Sequence, residues 1–276
     1  MGTPALQQAG ASRTALVTVA DGRNRPIVDL GPDDFVISEA GQTREILHVR
    51  PADYPVIVLV DTGAGARNDF EDIQRAVARF IGRLGQRQVA VGTLGDPPAM
   101  ISSLDDDRQR VLEGLERLSM NHAANSVALE SAARAARAFG QTAAAFSAIV
   151  VVSASGLDSS RRPADELTGS IIDSGAIVHV VANRRSPESP DTTAAADIQG
   201  QLERTLRALT NQTHGQFTTI YSAGSYSAAL DRLSDRLANE LLIEYLVPTG
   251  SKASDIRVGA RIPGARVRGL GVRPRE

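Results

Sequence analysis

The stretch best able to do chemistry is VIVLVDTGAGAR, residues 56–67, where an apolar run delivers Asp61 to a glycine-rich turn. Three chemistries use such an opening. Aspartic proteases set two Asp-Thr-Gly loops around a shared proton. Dinucleotide sites lay a pyrophosphate on G-x-G-x-x-G at a helix start. Metal-dependent sites of the Asp-x-Ser-x-Ser kind hold a hard cation with oxygen ligands. The chain has a single Asp-Thr-Gly, and an amphipathic helix follows it where a protease lobe would continue in strands. Gly63 and Gly65 supply two glycines of a dinucleotide loop, but Asn68 stands in the third place, and Lys252, the only lysine, is far from any phosphate loop. An aspartate aimed into a phosphate site would also repel the ligand.

The remaining candidates are weaker. VVSASGLD ends a strand with Ser153 and Ser155 but lacks the G-x-S-x-G elbow that exposes a nucleophile. His48, His122, His179 and His214 stand singly, without metal-ligand spacing. Asp105, Asp106 and Asp107 read as a solvated helix start. The C-terminal arginines 257, 261, 266, 268, 273 and 275 have no interleaved aromatics, so they read as a solvated strand face and not as a nucleic-acid site. NQT at 211–213 matches a glycosylation sequon, a three-letter match at a helix end.

Composition narrows the class. Apolar residues make up 42% and charged residues 22%, a globular balance, and the net charge of −2 is against a general polyanion binder. Cysteine is absent, which removes disulfides, thiolate metal sites and cysteine nucleophiles. No apolar run approaches the ~18 residues of a membrane span. Residues 1–13, MGTPALQQAGASR, read as a short disordered leader.

These residues must be positioned by the elements around them. The runs PVIVLV, SAIVVVS and AIVHVVA are continuous and apolar, as for strands buried on both faces. Phe70, Ile73, Val77, Phe80, Ile81 and Leu84 share one helical stripe. QVAVGTL and AMISSL around GDPP predict an antiparallel edge hairpin. Helices are expected over DDDRQRVLEGLERL, over 126–139, after Pro163, and from Ile198 through Leu209, the last preceded by a polar loop at 183–197. A strand QFTTIY and a helix carrying Leu230, Leu233, Leu237 and Leu241 complete the alternation. The succession predicts an α/β fold with a doubly wound, mostly parallel sheet over 53–244. Strand-like stretches at both ends predict a small β-sandwich from 14–52 and 245–276, with the α/β domain inserted between its halves.

The order of elements, a buried strand ending in Asp, a helix, an edge hairpin and further strand–helix pairs, resembles a von Willebrand factor A domain. The leading VTVADGRNRPIVDLGPDDFVISEAGQTREILHV and the closing LRALTNQTHGQFTTI…LLIEYLVP are similar to the flanks of the bacterial family called VWFA-related, first described in acidobacteria. The likeness spans roughly 14–272. It implies a metal-ion-dependent adhesion site in which Asp61 matches the first aspartate, while Gly63 and Gly65 stand where two serines would, Val127 where a threonine would, and Ser155 where a second aspartate would. Asp158 survives two residues beyond a motif read here as Ala154-Ser155-Gly156.

With four of five ligand positions changed, the expectation is a degenerate site with no cofactor, in a non-enzymatic protein-interaction or adhesion module. Asp61, Arg67, Asn125, Ser126, Ser155 and Asp158 are the candidate partner-binding residues, on loops at the C-terminal ends of the parallel strands, where open α/β sheets bind. Asp61 itself is expected to cap a helix or to accept from loop amides. The resemblance implies a periplasmic, extracellular or cell-surface protein of a bacterium, with a protein partner and no membrane span in this chain. Two alternatives stay open: a weak Mg²⁺ site supporting cation-dependent adhesion, and a hydrolase working through Asp61 and Ser155.

Overall fold

The computed structural model describes residues 10–154, 158–184 and 193–274. The chain divides into two compact units, one built from the segments Met1–Ala52 and Asp235–Glu276, the other from Asp53–Ser234.

The inner unit is an α/β layer structure. Strands β5 (Val56–Val60), β6 (Val89–Thr93), β7 (Ala148–Ser153), β8 (Ile177–Asn183) and β9 (Gln216–Ile220) form one parallel sheet in the order β6-β5-β7-β8-β9. Val58 lies level with Val91 on one side and Val150 on the other. Every residue of β5, β6 and β7 is buried, which is why these strands read as unbroken apolar runs instead of alternating ones. Helices α1 (Phe70–Arg83), α2 (Arg108–Glu116), α3 (Ala128–Phe139), α4 (Ala164–Ser174), α5 (Thr193–Gln212) and α6 (Ser225–Ala238) connect and cover them. Helix α3 buries five alanines together with Leu129 and Phe139, so small side chains let it lie close to the sheet.

The sequence placed a hairpin after β6, and the structure reduces its second arm to a bridge between Gly92 and Met100. Pro97 and Pro98 sit in the turn as expected, and the arm pairs only through residues 99–101, where Thr93 N donates to Ala99 O and Ile101 N to Val91 O. Helix α5 starts at Thr193, inside the stretch expected to be loop, because TAAAD is rich in the strongest helix former. Residues 185–192 of that expected loop lie outside the described residues, and Asn183 belongs to β8. Helix α2 starts at Arg108, so the acidic run expected in its first turn lies before it, and Asp107 caps it by accepting from Arg110 N at 2.8 Å.

The outer unit is made of antiparallel sheets from both ends of the chain. Strands β1 (Gly10–Ala20), β4 (Ile46–Pro51), β10 (Glu240–Pro248) and β12 (Arg266–Pro274) lie in the order β12-β1-β10-β4. Strands β2 (Phe35–Glu39), β3 (Gln42–Arg44) and β11 (Arg257–Ala260) lie in the order β11-β2-β3. Alternate residues face inward from each strand: Ala15, Val17 and Val19 from β1, Phe35 and Ile37 from β2, Ile243, Tyr245 and Val247 from β10 share one core. Strand β1 starts at Gly10, so residues 10–13 are paired strand and not part of a leader; residues 1–9 lie outside the described residues. Arg13 forms a buried ion pair with Glu39.

No helix among the described residues is long and apolar enough to cross a membrane.

Candidate functional site

Each central parallel strand ends on a polar residue at its C-terminal end: β5 leads to Asp61, β7 ends in Ser153 and β8 in Asn183, all buried. Asp61 continues the ladder by donating its N–H to Val152 O at 3.0 Å. Its side chain is fully buried and gathers donors from three segments. Oδ1 accepts from Gly63 N at 3.1 Å and Ser126 Oγ at 2.6 Å; Oδ2 accepts from Ala154 N at 3.0 Å and Ser153 Oγ at 3.3 Å. A buried carboxylate is stable only when its lone pairs are met in this way. Of the two roles expected for Asp61, the structure shows the second: it accepts from loop amides, while α1 starts further on, after Asp69.

The glycines after Asp61 have a steric reason. A Cβ on Gly63 would stand 3.1 Å from both Ala124 O and Ser126 Oγ, so the adjoining loop already fills the space a serine would need. Ala64 N donates to Ala124 O at 3.0 Å and Asn121 N to Thr62 O at 2.9 Å, locking the two loops together. Val127 is wholly buried and has no side-chain oxygen to offer. Tested against a hard divalent cation, this arrangement fits poorly: the Asp61 oxygens face protein donors, and positions 63, 65 and 127 carry no oxygen-bearing side chain.

Asp158 does a different job. Val127 cannot cap α3, and the loop after β7 caps it from outside: Asp158 accepts from the N–H groups of Ala128 and Leu129, and Ser160 Oγ from Glu130 N at 3.2 Å. Glu130 returns the contact by accepting from Arg161 N at 2.6 Å and Arg162 N at 3.1 Å. This is a capping box split between two distant segments. Burial pushes the Asp158 carboxyl above its ordinary value, against the hydrogen bonds from Ser160 and the α3 amides that pull it down.

A second buried cluster lies at the same end of the sheet. Asp69 Oδ2 accepts from Asn183 Nδ2 at 2.7 Å, and the Tyr226 hydroxyl is 3.0 Å from Ser153 O and 3.4 Å from Asp69 Oδ2. Asp69, Asn183 and Tyr226 were not singled out in the sequence. The sequence carries one signal for this cluster, the polar Asn183 that ends the apolar run of β8; Asp69, before α1, and Tyr226, within α6, carry none of that kind.

Of the expected binding residues, the structure brings Asp61 and Ser126 into contact and sets Asp158 on the start of α3. Arg67 and Asn125 are exposed on neighbouring loops. Ser155 lies outside the described residues. A cavity of about 490 Å³ lies elsewhere, between the end of α3 and residues 100–106, floored by Ile57, Ala90 and Ala138.

Residues 56–157 match the family model for the von Willebrand factor type A domain. Among solved structures, the chain is similar to a von Willebrand factor type A protein from Catenulispora acidiphila, at 12% identity and a TM-score of 0.57, over 97% of this chain and 74% of that one. It is also similar to the conserved hypothetical protein BatB from Bacteroides thetaiotaomicron, at 16% identity and a TM-score of 0.50, over 66% of this chain and 98% of that one. A further likeness is to the vWF domain of the type V pili tip protein Mfa5 from Porphyromonas gingivalis, at 9% identity and a TM-score of 0.50, over 68% and 96%. No curated protein matches the sequence. At such identities the likeness is one of fold, and the fold is that of a von Willebrand factor A domain: a parallel sheet flanked by helices, with antiparallel sheets from the termini.

Proposed function

We propose that this chain is a non-enzymatic protein-interaction module of the von Willebrand A type, and that its binding does not depend on a cation. The observation that carries the reading is the Asp61 carboxylate, whose two oxygens each accept from two protein donors. A Mg²⁺ ion would have to displace them, and the donors would then be buried without acceptors. The same engagement counts against Asp61 as the base of a hydrolase, because a base needs a free lone pair within reach of the proton it takes.

The binding surface on this reading is formed by the exposed loops at the C-terminal ends of the strands, with Arg67, Asn68, His122, Asn125 and Arg161 pointing to solvent. Interaction modules of open α/β sheets use this end because the loops there vary without disturbing the core. The likeness of both flanking segments to the VWFA-related family supports a bacterial periplasmic or cell-surface setting and a role in adhesion.

Calorimetric titration of the chain with Mg²⁺, Mn²⁺ and Ca²⁺, beside an Asp61→Asn variant, tests the reading. The expected result is no binding heat from either protein. Heat from the wild type that disappears in the variant would overturn cation independence and restore a cation-dependent adhesion site.

A further inference from the structure

The two edges of the parallel sheet differ. Strand β6 is covered along its outer side: Thr93 N donates to Ala99 O and Ile101 N to Val91 O, both at 2.8 Å. Among the described residues, strand β9 pairs with β8 alone. Arg184 N donates to Ile220 O at 2.8 Å, so the Ile220 carbonyl faces β8. Strand alternation then turns Thr218 and Gln216 the same way, and Phe217 and Thr219 aim their N–H and C=O away from the sheet. Among the described residues no backbone group meets them. Four of the five residues of β9 are half-exposed.

Open edges are templates for another strand, and proteins usually blunt them with charge or proline. The outer unit does so: its edge strand β12 carries Arg266, Arg268 and Arg273, and its edge strand β4 carries His48, Arg50 and Pro51. In β9 the sequence QFTTI has neither charge nor proline. The Arg207 guanidinium lies 4.2 Å from the Phe217 ring centroid and donates to Thr219 Oγ1 at 2.9 Å. Among the described residues, Arg207 and Arg184 share the carboxylate of Glu203, at 2.8 and 4.0 Å, two guanidiniums to one carboxylate. Just past the strand, Tyr221 is 75% exposed.

We propose that the β9 edge binds an extended peptide segment of another protein by strand addition, with the outward backbone groups of Phe217 and Thr219 as its docking points and acidic side chains of the peptide near Arg184 and Arg207. Backbone pairing supplies the affinity, and the flanking guanidiniums and Tyr221 select the sequence. A second copy of this chain is a poorer occupant. It would bring like charges together and engage only a five-residue strand, well short of the ~1,200 Å² of a stable interface. The inference does not depend on the state of Asp61 or on the loops of the proposed interaction surface.

The test is to pan a random linear peptide library on the full chain, then resynthesise an enriched peptide with and without backbone N-methylation at alternate residues. The expected outcome is an enriched peptide combining β-branched and acidic residues. N-methylation on the docking side should weaken it about tenfold or more, since it removes the peptide N–H groups that meet the outward carbonyls. The peptide should slow hydrogen exchange at the Phe217 and Thr219 amides, and Thr219→Pro, which removes an outward N–H and leaves the β8 ladder intact, should abolish binding. The N-methylated peptide keeps the test decisive if that variant folds poorly. Three outcomes would overturn the proposal: no peptide enriched, equal binding after N-methylation at either register, or unchanged exchange at both amides. Protection of those amides that grows with protein concentration alone would overturn it in favour of a second copy.

Discussion

Ser126 gives its hydroxyl to Asp61 Oδ1 at 2.6 Å, joining two loops that stand 65 positions apart in the chain. The bond turns the residue most suggestive of chemistry into a structural hub for the end of the sheet. Replacing Asp61 with alanine strands two hydroxyls and two amides in a buried site. We expect Asp61→Ala to lower the free energy of unfolding by about 3 kcal/mol or more, several buried donors losing their acceptor at once, and Ser126→Ala by about 1–2 kcal/mol. Urea denaturation measures both. An Asp61→Ala variant as stable as the wild type would mean that the carboxylate is not holding these loops.

Asp158 should leave a signature in pH. Burial raises its folded-state value above the ordinary 3.8, so the folded chain holds the proton more tightly than the unfolded chain does. Its contribution to stability is therefore greatest below the unfolded value and declines as pH rises through the raised folded one. Asp158→Asn keeps an acceptor for the α3 amides and cannot ionise, so the variant should match or exceed the wild type at neutral pH. Asp158→Ala also loses the cap and should fall about 1 kcal/mol below the asparagine variant. Thermal unfolding across pH 3–7, roughly the window in which carboxyls titrate, separates these outcomes.

The turn into β9 offers a pair of opposite expectations. His214 has φ 59°, a left-handed conformation that costs a residue with a Cβ about 1 kcal/mol. His214→Gly should therefore raise the midpoint of thermal unfolding. At Gly215 a Cβ would lie 1.7 Å from Val178 O and 2.6 Å from Val178 C, backbone of β8 that cannot swing aside as a side chain could. Gly215→Ala should lose several kcal/mol or fail to fold, in the range of other severe core clashes (~3 kcal/mol). If both substitutions behave alike, the local geometry is other than described.

Tyr245 sits in the core of the outer unit, and its hydroxyl is pushed up to about 12, first by burial and then by the Glu39 carboxylate. The sign is that of a group neutral when folded: its stabilising contribution is intact below the ordinary value of 10.0 and is lost as pH climbs toward about 12. Tyr245→Phe should accordingly show a smaller loss of stability over that alkaline range. Ultraviolet absorbance of phenolate, compared between the two proteins, should place the missing titration near the top of it.

The sequence conveyed more of the framework than of the site. Strands β5, β7 and β8 were legible because burial on both faces leaves an unbroken apolar run, and α1 because its buried residues recur with the helical period. Asp61 stood out because it ends such a run. Ser126 and Ser153 stood out too, but not as its partners: they lie 65 and 92 positions away, on a loop and at the end of β7, and no local pattern marks a hydroxyl that points inward. The Asn183–Asp69 and Tyr226–Asp69 contacts span 114 and 157 positions and are equally invisible to periodicity. The edge hairpin after β6 was legible in its turn and its antiparallel sense, but alternation in AMISSL could not show that its second arm pairs over only about one bridge.

The arrangement of the outer unit also sets an order of events during synthesis. Thr18 pairs with Glu240 and Thr14 with Glu244, contacts that span most of the chain. Strand β1 therefore leaves the ribosome long before its partner β10 exists, and the whole α/β unit is translated in between. During that interval β1 through β4 are a nascent segment whose apolar residues have no completed core. Such a segment carries exposed apolar surface and unpaired strand edges, and so a window for aggregation, until the last strands of the chain arrive.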